Sequence, residues 1–272
     1  MTPVAIVDGV ELGGDRLALL AGPCLVEDVD ITTDIALRLQ DICGEIGMPF
    51  VFKASYDKAN RTSIQSERGP GWREGLEILA RVKERAQVPL VSDVHETAQV
   101  AEAAQVCDIL QVPAFLCRQT DLLVAVGESG KAVNVKKGQF VAPADMRHSL
   151  EKVLHTGNRR VSVTERGYAF GYNNLVVDMR GIPIMRDFGY PVIFDGTHSV
   201  QLPSGSGCAS GGQREFVAPL VKAAVAAGAN ALFLETHPTP DSAPCDGPNM
   251  VPLGSLKALL VIAQRLFEIV NE

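Results

Sequence analysis

One pattern recurs along the chain: a short apolar run ends in polar residues, and a helix-like stretch follows. The apolar runs lie at residues 17–24, 49–55, 89–95, 109–114, 132–137, 161–167, 191–198 and 231–237. Several runs are almost continuously apolar, as expected of strands buried on both faces. The clearest helix-like stretches lie at residues 32–47, 71–86, 97–105, 142–157, 214–228 and 254–270. Because strands that alternate with helices form parallel sheets, eight such units in 272 residues predict an α/β fold, a single (β/α)8 (TIM) barrel.

The first residues predict a separate element. The segment VAIVDGVELGG alternates around Asp8-Gly9, which indicates a turn between two strands, so residues 1–14 are expected to form an N-terminal β-hairpin that caps the barrel. A doubly wound open sheet would instead favour a glycine-rich dinucleotide turn after an early strand, and GPCLVED lacks that pattern. No linker or low-complexity segment divides the sequence, so residues 1–272 are expected to form one domain.

Composition and charge argue against several classes of protein. The net charge is −7, without a basic block, whereas nucleic-acid binding needs a basic surface. No apolar run approaches the roughly 20 residues of a membrane span, and the first residues do not resemble a signal peptide. The six cysteines include no CxxC pair and are expected to be thiols. These features predict a cytoplasmic protein without nucleic-acid or membrane partners.

Almost every predicted strand ends in a titratable or hydrogen-bonding side chain. In a barrel of this type, catalytic residues come from the C-terminal ends of the strands. Those ends carry Cys24, Lys53, Ser55, Asp93, His95, Gln111, Lys136, Lys137, Glu165, Arg166, Asp195, His198, Glu235 and His237. One polar strand end would mean little, because strand ends are often exposed. A whole set facing one mouth predicts a functional site.

Five cations are expected to converge on that mouth: Lys53, Lys58, Arg61, Lys136 and Arg166. Like charges held together cost free energy unless an anion neutralises them, and arginine and lysine both suit phosphate and carboxylate groups. The set predicts more than one phosphate-sized anion. For a single member, a surface ion pair is an alternative. For Lys53 or Lys136, a Schiff base with a carbonyl substrate is another.

A metal site is expected beside these cations. Cys24, His198 and Glu235 end the first, seventh and eighth strands, which are neighbours in a closed barrel, and Asp246 follows in the next loop. Thiolate, imidazole and carboxylate ligands suit Fe²⁺, Zn²⁺ or Mn²⁺. Cys24 alone would be a small buried hydrophobe, and Asp246 could instead cap the turn that follows it. Cys245 is a rival ligand that the sequence does not separate from the others.

Two further segments each have more than one interpretation. The loop at 199–214 is rich in glycine and serine, so its amides could cradle a phosphate, or it could be a flexible lid; a lid that closes on substrate would do both. Arg118 and Gln119 lie just beyond the fourth strand, where the segment could also be a helix start capped by Thr120 and Asp121.

Seven segments are similar to the 3-deoxy-D-manno-octulosonate 8-phosphate synthase (2-dehydro-3-deoxyphosphooctonate aldolase) family. They are FKASYDKANRTS, QVPAFLCRQTDL, NVKKGQF, ERGYAFGYNNLVVDM, PVIFDGTHSVQ, GCASGGQRE and CDGPNMVPL. Their order and spacing match over nearly the whole chain. The resemblance implies a homotetrameric (β/α)8 barrel with an N-terminal hairpin. It also implies condensation of phosphoenolpyruvate with D-arabinose 5-phosphate, with release of phosphate, for lipopolysaccharide synthesis.

The resemblance implies a role for individual residues at the phosphoenolpyruvate site. Lys53, Ser55 and Lys58 would hold its carboxylate side, and Lys136 and Arg166 its phosphate. The side chains expected to take part in catalysis are Lys53, Lys58, Asp93, His198 and Asp246.

The same resemblance implies a sugar-phosphate site. Arg61 would bind the phosphate, with Asn60, Thr62 and Ser63 beside it, and Asp93 would contact the sugar hydroxyls. The remaining residues expected to bind substrate are Gln111, Ala114 and Gln201. Two more, Arg118 and Gln119, would reach the sugar-phosphate site of a neighbouring subunit.

The family has a metal-dependent branch and a metal-independent one, which carries asparagine where this chain has Cys24. GPC therefore implies the metal-dependent branch, with Cys24, His198, Glu235 and Asp246 as ligands. The sequence Cys245-Asp246-Gly247 resembles the other branch, so metal binding need not mean a strict requirement.

Three rival functions remain. A 3-deoxy-arabino-heptulosonate 7-phosphate synthase, which uses erythrose 4-phosphate, shares the barrel and the metal ligands but has KPRTS-like residues where this chain has Lys58-Ala59-Asn60-Arg61. The others are a Schiff-base aldolase and a non-catalytic barrel that binds metal or anions.

Overall fold

The computed structural model describes residues 2–7, 9–206 and 209–272. Its strands are β1 (Val4–Val7), β2 (Val10–Leu12), β3 (Ala18–Gly22), β4 (Phe50–Lys53), β5 (Leu90–Asp93), β6 (Ile109–Val112), β7 (Ala132–Lys136), β8 (Val161–Glu165), β9 (Tyr168–Ala169), β10 (Leu175–Val176), β11 (Val192–Asp195), β12 (Gln201–Ser206), β13 (Ala209–Gly212), β14 (Ala231–His237) and β15 (Val251–Pro252). Its α-helices are α1 (Val29–Ile46), α2 (Trp72–Ala86), α3 (Thr97–Val106), α4 (Thr120–Glu128), α5 (Met146–Leu154), α6 (Gly181–Arg186), α7 (Val217–Ala226) and α8 (Leu253–Asn271). Short 3₁₀ turns lie at Ala114–Leu116, Pro143–Asp145, His198–Val200, Arg214–Phe216, Pro240–Ser242 and Gly247–Asn249.

Within the described residues, eight strands form one closed parallel barrel. Their order is β3-β4-β5-β6-β7-β8-β11-β14, and β14 pairs with β3 to complete the ring. Every residue of β3, β7 and β14 is buried, which explains why the corresponding apolar runs do not alternate. Each barrel strand coincides with one predicted run, so the (β/α)8 fold is confirmed. The assignment of the whole chain to one domain stays a prediction.

The helices surround the barrel and bury one face each against it. In α1 the buried positions include Ile35, Leu39 and Cys43, which recur at helical spacing. The helix α4 begins at Thr120, but Gln119 occupies its cap position and makes no side-chain cap bond. The prediction that Thr120 and Asp121 cap this helix is therefore wrong, because both already lie inside it. None of the helices in the described ranges is long and apolar enough to cross a lipid bilayer.

The N-terminal hairpin closes one end of the barrel. Strands β1 and β2 pair antiparallel, and Val4, Ile6 and Leu12 belong to one buried cluster with the first residues of several barrel strands, including Ala18 and Ala231. The hairpin prediction is confirmed, although Asp8 of the predicted turn lies outside the described residues. Because the hairpin covers the N-terminal ends of the strands, the C-terminal ends are left to form the mouth.

At the mouth, β3 and β4 approach each other very closely. A Cβ atom on Gly22 would lie 2.0 Å from the carbonyl oxygen of Lys53, so only glycine fits at this point of the strand. The close approach sets the backbone of Cys24 against the end of β4, and Lys53 Nζ donates to the Cys24 carbonyl oxygen at 3.3 Å. The strand ends are thereby packed tightly enough to share a small set of charged side chains.

Candidate active site

A cavity of about 240 Å³ opens at the C-terminal ends of the barrel strands. Twelve of the predicted site residues line it: Lys53, Lys58, Asn60, Arg61, Thr62, Asp93, Ala114, Lys136, Arg166, His198, Gln201 and Asp246. The structure thus brings together side chains from β4, β5, β7 and β8 and from the loops that follow β6, β11 and β14. This end of the barrel is where enzymes of this architecture place their active sites.

The other predicted site residues lie elsewhere. Four of them are completely buried and form a layer below the cavity: Cys24, Ser55, Gln111 and Glu235. Ser63 lines an adjoining pocket that shares Arg61 and Asp246 with the cavity. Arg118 and Gln119 lie exposed outside the cavity, so a role for them would require a second subunit.

A buried ion pair occupies the floor between β4 and β14. Lys53 Nζ donates to Glu235 Oε1 at 2.8 Å, and Lys58 Nζ lies 3.7 Å from the same oxygen. Burial opposes the charged form of Lys53, but Glu235 and Asp93 together hold the pKa of this lysine above its usual value. An amine nucleophile must lose its proton, so this environment does not favour Lys53 as a Schiff-base residue.

A second buried pair joins β7 to β11 and orients the histidine. Asp195 Oδ2 accepts hydrogen bonds from Lys136 Nζ and His198 Nδ1, both at 2.7 Å. Because Nδ1 is committed, His198 Nε2 faces the carboxylates of Glu235, at 3.6 Å, and Asp246, at 4.0 Å. Burial opposes ionisation of Asp195, but the charges of His198 and Lys136 hold its pKa well below the usual value. Burial lowers the pKa of Lys136, and Asp195 counteracts that effect.

The sequence pointed to Asp195 only as one polar strand end among many. Its position three residues before His198, at the end of the same strand, could have indicated that Asp195 orients the histidine. A carboxylate that accepts from one ring nitrogen commonly fixes which nitrogen faces the reaction.

Two arginines present unpaired donors to the cavity. Arg166 is 4% exposed; its Nη2 donates to Gln201 Oε1 at 3.2 Å, and its buried Nη1 has no partner. Arg61 donates from Nε to the Glu67 carbonyl oxygen at 2.9 Å, and its buried Nη2 also lacks a partner. Unpaired buried guanidinium groups are costly unless a ligand completes them. Arg166 directly follows β8, whereas Arg61 lies in the loop after β4, where its Nη1 is 4.0 Å from Asp246 Oδ1. Asp246 and Gln201 therefore connect the two guanidinium groups.

A hydrogen-bonded layer supports Asp93 from below. Its carboxylate accepts from Ser55 Oγ and from Gln111 Nε2, both at 2.6 Å, and Asn134 Nδ2 donates to Gln111 Oε1 at 2.8 Å. Burial opposes ionisation, but Lys53 and Lys136 hold the pKa of Asp93 below its usual value. Sequence reasoning missed Asn134, although an amide in the middle of an apolar strand was a usable signal.

The buried Lys137 was noted at a strand end but given no role. Its ammonium group donates to the carbonyl oxygens of Gly167, at 3.0 Å, and Gly138, at 3.4 Å, and lies 3.4 Å from Glu165 Oε1. These contacts fix the turn beside Arg166, so Lys137 supports the cavity wall instead of lining it.

The candidate metal ligands form two clusters that share Asp246. One contains Cys24, Cys245 and Asp246, the other His198, Glu235 and Asp246, and within each cluster the ligand atoms lie within 4.8 Å of one another. Cys24 Sγ donates to Asp246 Oδ2 at 3.1 Å. Glu235 Oε2 is buried and has no hydrogen-bond partner. An unpartnered carboxylate oxygen among thiol, imidazole and carboxylate donors fits a divalent transition-metal ion.

Asp246 does not cap the turn that follows it. Its backbone has a φ of 52°, and its side chain makes no cap bond to Gly247–Asn249 but is directed towards Cys24. The turn-capping alternative is therefore wrong. The left-handed backbone, uncommon for a residue other than glycine, turns the carboxylate back over the mouth.

The predicted loop at 199–214 contains regular structure. Strands β12 and β13 form an antiparallel hairpin, and residues 207 and 208 lie outside the described part of the chain. Gln201 connects Arg166 to Asp246, because its Oε1 accepts from Arg166 and its Nε2 donates to Asp246 Oδ1 at 3.4 Å. The predicted phosphate cradle and lid therefore stay predictions.

The expectation of thiols instead of disulfides holds for the described cysteines. Those at positions 24, 43, 107, 117 and 245 are free, and Cys208 lies outside the described residues. Burial raises the pKa of the Cys24 thiol well above its usual value, whereas the adjacent Cys24 side chain lowers that of Cys245.

Comparison with known proteins gives a full-length match. The model of the DAHP synthetase I family matches residues 1–272. Proteins of Trichlorobacter lovleyi and of Geobacter sp. strain M21 are each 58% identical, over 272 and 273 residues, and one of Pelobacter propionicus is 56% identical over 272 residues. Each match covers 100% of both chains, and all three relatives are named 2-dehydro-3-deoxyphosphooctonate aldolase.

Proposed function

Because this chain belongs to the DAHP synthetase I family, we infer that it condenses phosphoenolpyruvate with a sugar phosphate. The sugar is D-arabinose 5-phosphate, and the products are 3-deoxy-D-manno-octulosonate 8-phosphate and inorganic phosphate. The family name alone covers the four-carbon sugar as well. The shared name of the full-length relatives favours the eight-carbon product.

The observation that carries this function is the pair of arginines that each keep one unpartnered donor at the mouth. Arg166 Nη1 and Arg61 Nη2 are buried without a partner, and both arginines line the same cavity as Lys53, Lys58 and Lys136. A substrate pair with one phosphate at each end would complete both donors. Two such donors, from different loops of the mouth, therefore support two phosphorylated substrates bound at once.

We assign phosphoenolpyruvate to the β7–β8 side of the cavity. Lys136 and Arg166 hold its phosphate, while Lys53 and Lys58 neutralise its carboxylate. Ser55 lies below the floor and donates to Asp93, so it acts on the substrate only if that hydrogen bond is exchanged.

The sugar phosphate is assigned to the β4 side. Arg61 binds its phosphate beside Asn60, Thr62 and Ser63, and Asp93 accepts from its hydroxyl groups. The residues that complete the pocket around the sugar are Ala114, Gln201 and, from the buried layer, Gln111.

The reaction joins C3 of phosphoenolpyruvate to the aldehyde carbon of the sugar. Water adds to C2, and phosphate leaves the resulting hemiketal with cleavage of its C–O bond. The cations hold together substrates whose phosphates and carboxylate would otherwise repel each other. In the absence of a bound ion, His198, whose Nδ1 is committed to Asp195, transfers protons at Nε2, with Asp246 as its partner.

The chain also carries a site for a divalent ion, Fe²⁺, Zn²⁺ or Mn²⁺, at Cys24, His198, Glu235 and Asp246. When bound, the ion supplies positive charge that orients water and polarises the aldehyde. We propose that the ion assists the reaction without being strictly required. The reason is that Lys53, Lys58 and His198 already surround the same carboxylates.

Three further features complete the proposal. The protein is a homotetramer in which Arg118 and Gln119 reach a neighbouring sugar-phosphate site, which agrees with their exposure away from the cavity. It acts in the cytoplasm. Its product enters lipopolysaccharide synthesis.

Labelled phosphoenolpyruvate tests the chemistry of the reaction. With ¹⁸O in the bridging C–O–P position and arabinose 5-phosphate as acceptor, we expect the label in the released phosphate, because the C–O bond breaks. Mass spectrometry of phosphate and sugar acid reads both products. Label retained in the sugar acid would show cleavage of the P–O bond and contradict the proposed route. A substrate bound to Lys136 as a Schiff base, and trapped there by reduction with borohydride, would instead support the Schiff-base alternative.

A further inference from the structure

The structure places a second thiol against the predicted metal ligands. Cys245 precedes Asp246, is 7% exposed, and has its Sγ within 4.8 Å of both Cys24 Sγ and a carboxylate oxygen of Asp246. Cys24 itself belongs to this cluster and not to the one formed by His198, Glu235 and Asp246. The four ligands expected from the sequence therefore do not form one compact group, and Cys245, the rival ligand, lies in the same cluster as Cys24.

The surroundings of the two sulfur atoms are apolar on one side and cationic on the other. Cys24 and Cys245 form a buried cluster with Leu25, at 2% exposed, and Met250, at 1%. On the cavity side lie Lys58 and Arg61, the cations that act electrostatically on Cys245. Two buried sulfur atoms with a carboxylate at one edge suit a thiophilic cation better than a hard one.

The spacing agrees with a shared ion. Two zinc–sulfur bonds of about 2.3 Å that meet at an angle close to tetrahedral place the sulfur atoms about 3.8 Å apart. The upper limit of 4.8 Å between the ligand atoms is within a small side-chain adjustment of that value. Glu235 Oε2 is buried without a partner, and its cluster shares Asp246 with the cluster of the two cysteines. It is therefore available to the same ion.

We propose that Cys245 is itself a metal ligand, so that the ion is bound by the two thiolates of Cys24 and Cys245 together with Asp246. His198 and Glu235 complete the site from the other cluster. Two thiolates select thiophilic ions such as Zn²⁺, Cd²⁺ and Co²⁺ over Mn²⁺, because soft ligands prefer soft cations. This inference adds a ligand to the metal site of the proposed function, and it rests on that proposed function for the other ligands.

Cobalt substitution tests the proposal without turnover. Reduced, metal-free protein is titrated with Co²⁺ under anaerobic conditions, and the sulfur-to-cobalt charge-transfer absorption is measured per bound ion. The intensity rises with the number of thiolate ligands. Cys245→Ser is therefore expected to halve it relative to the unmodified protein, and Cys24→Ser to halve it as well. Competition with a chromophoric chelator is expected to show a loss of Cd²⁺ affinity of about 10-fold or more in Cys245→Ser, with Mn²⁺ affinity nearly unchanged.

The matched control is Cys43→Ala, which removes a buried thiol in α1 away from the site and should leave the spectrum unchanged. Circular dichroism identifies variants that fold, and Cys245→Ala replaces the serine variant if that one does not. A folded Cys245 variant that no longer binds cobalt would also support the proposal. Full charge-transfer intensity in a folded Cys245 variant would overturn it. That result would leave the condensation reaction untouched, because product formation is measured separately.

Discussion

Replacing Arg166 by glutamine is expected to lower kcat/KM for phosphoenolpyruvate by about 10²- to 10³-fold, the loss typical of removing one preorganised donor to an anion. Arg166 is buried and keeps Nη1 without a partner, which costs free energy when no anion is bound. Burial lowers the pKa of Arg166, and the carboxylates of Asp195 and Glu165 counteract that effect. Because the free protein carries this cost, the variant should be as stable as the original protein or more stable.

The measurement is steady-state kinetics together with urea unfolding. Arg180→Gln is the matched control: the same change at an exposed arginine paired with Asp178 should alter neither activity nor stability appreciably. A large loss of stability in Arg166→Gln would show that the guanidinium serves the fold. Unchanged kinetics would remove Arg166 from the anion site.

Replacing Asp195 by asparagine is expected to have the largest effect on stability. The carboxylate is completely buried and accepts from both Lys136 and His198, so its removal leaves the buried ammonium group of Lys136 and the partly buried ring of His198 facing a neutral amide. Breaking a buried pair of this kind costs about 3–5 kcal/mol of unfolding free energy. Activity should also fall by about 10- to 100-fold, because the orientation of the His198 ring is no longer fixed.

The contribution of Asp195 to the unfolding free energy depends on pH. The folded-state pKa of Asp195 is lowered, so its stabilising contribution is fully present above the unfolded-state pKa of about 4 and is lost as the pH falls below it. The difference in unfolding free energy between the original protein and Asp195→Asn should be largest near neutral pH and should narrow in acid. Asp178→Asn, at the exposed pair with Arg180, is the control and should show little difference. A difference in unfolding free energy between the two proteins that stays constant with pH would contradict an ionic role for Asp195.

The architecture and the location of the site were predictable because both depend on local patterns. The eight apolar runs coincide with the barrel strands, and six of the fourteen polar residues named at their ends line one cavity. The partners of those residues were not predictable, since they depend on the register between strands that are distant in sequence. Asp195 illustrates this: its importance arises from Lys136, which lies 59 residues away and meets it across the barrel mouth.

The ligand assignment shows the same limit at shorter range. Spacing along the sequence grouped Cys24 with His198 and Glu235 through the order of the strands. The fold instead sets Cys24 against Cys245, because the loop after β14 returns over the mouth with Asp246 in a left-handed backbone. Only side-chain geometry distinguishes these groupings. For Arg118 and Gln119, even the geometry of one chain is insufficient, because their expected partner is another subunit.

The choice of acceptor sugar is tested by comparing two sugars in one matched assay of phosphate release from phosphoenolpyruvate. We expect release with arabinose 5-phosphate and little or none with erythrose 4-phosphate. Preference for the four-carbon sugar would contradict this expectation and would assign the chain to heptulosonate synthesis. Release with neither sugar, in folded and metal-supplied protein, would leave the barrel intact and remove the proposed reaction.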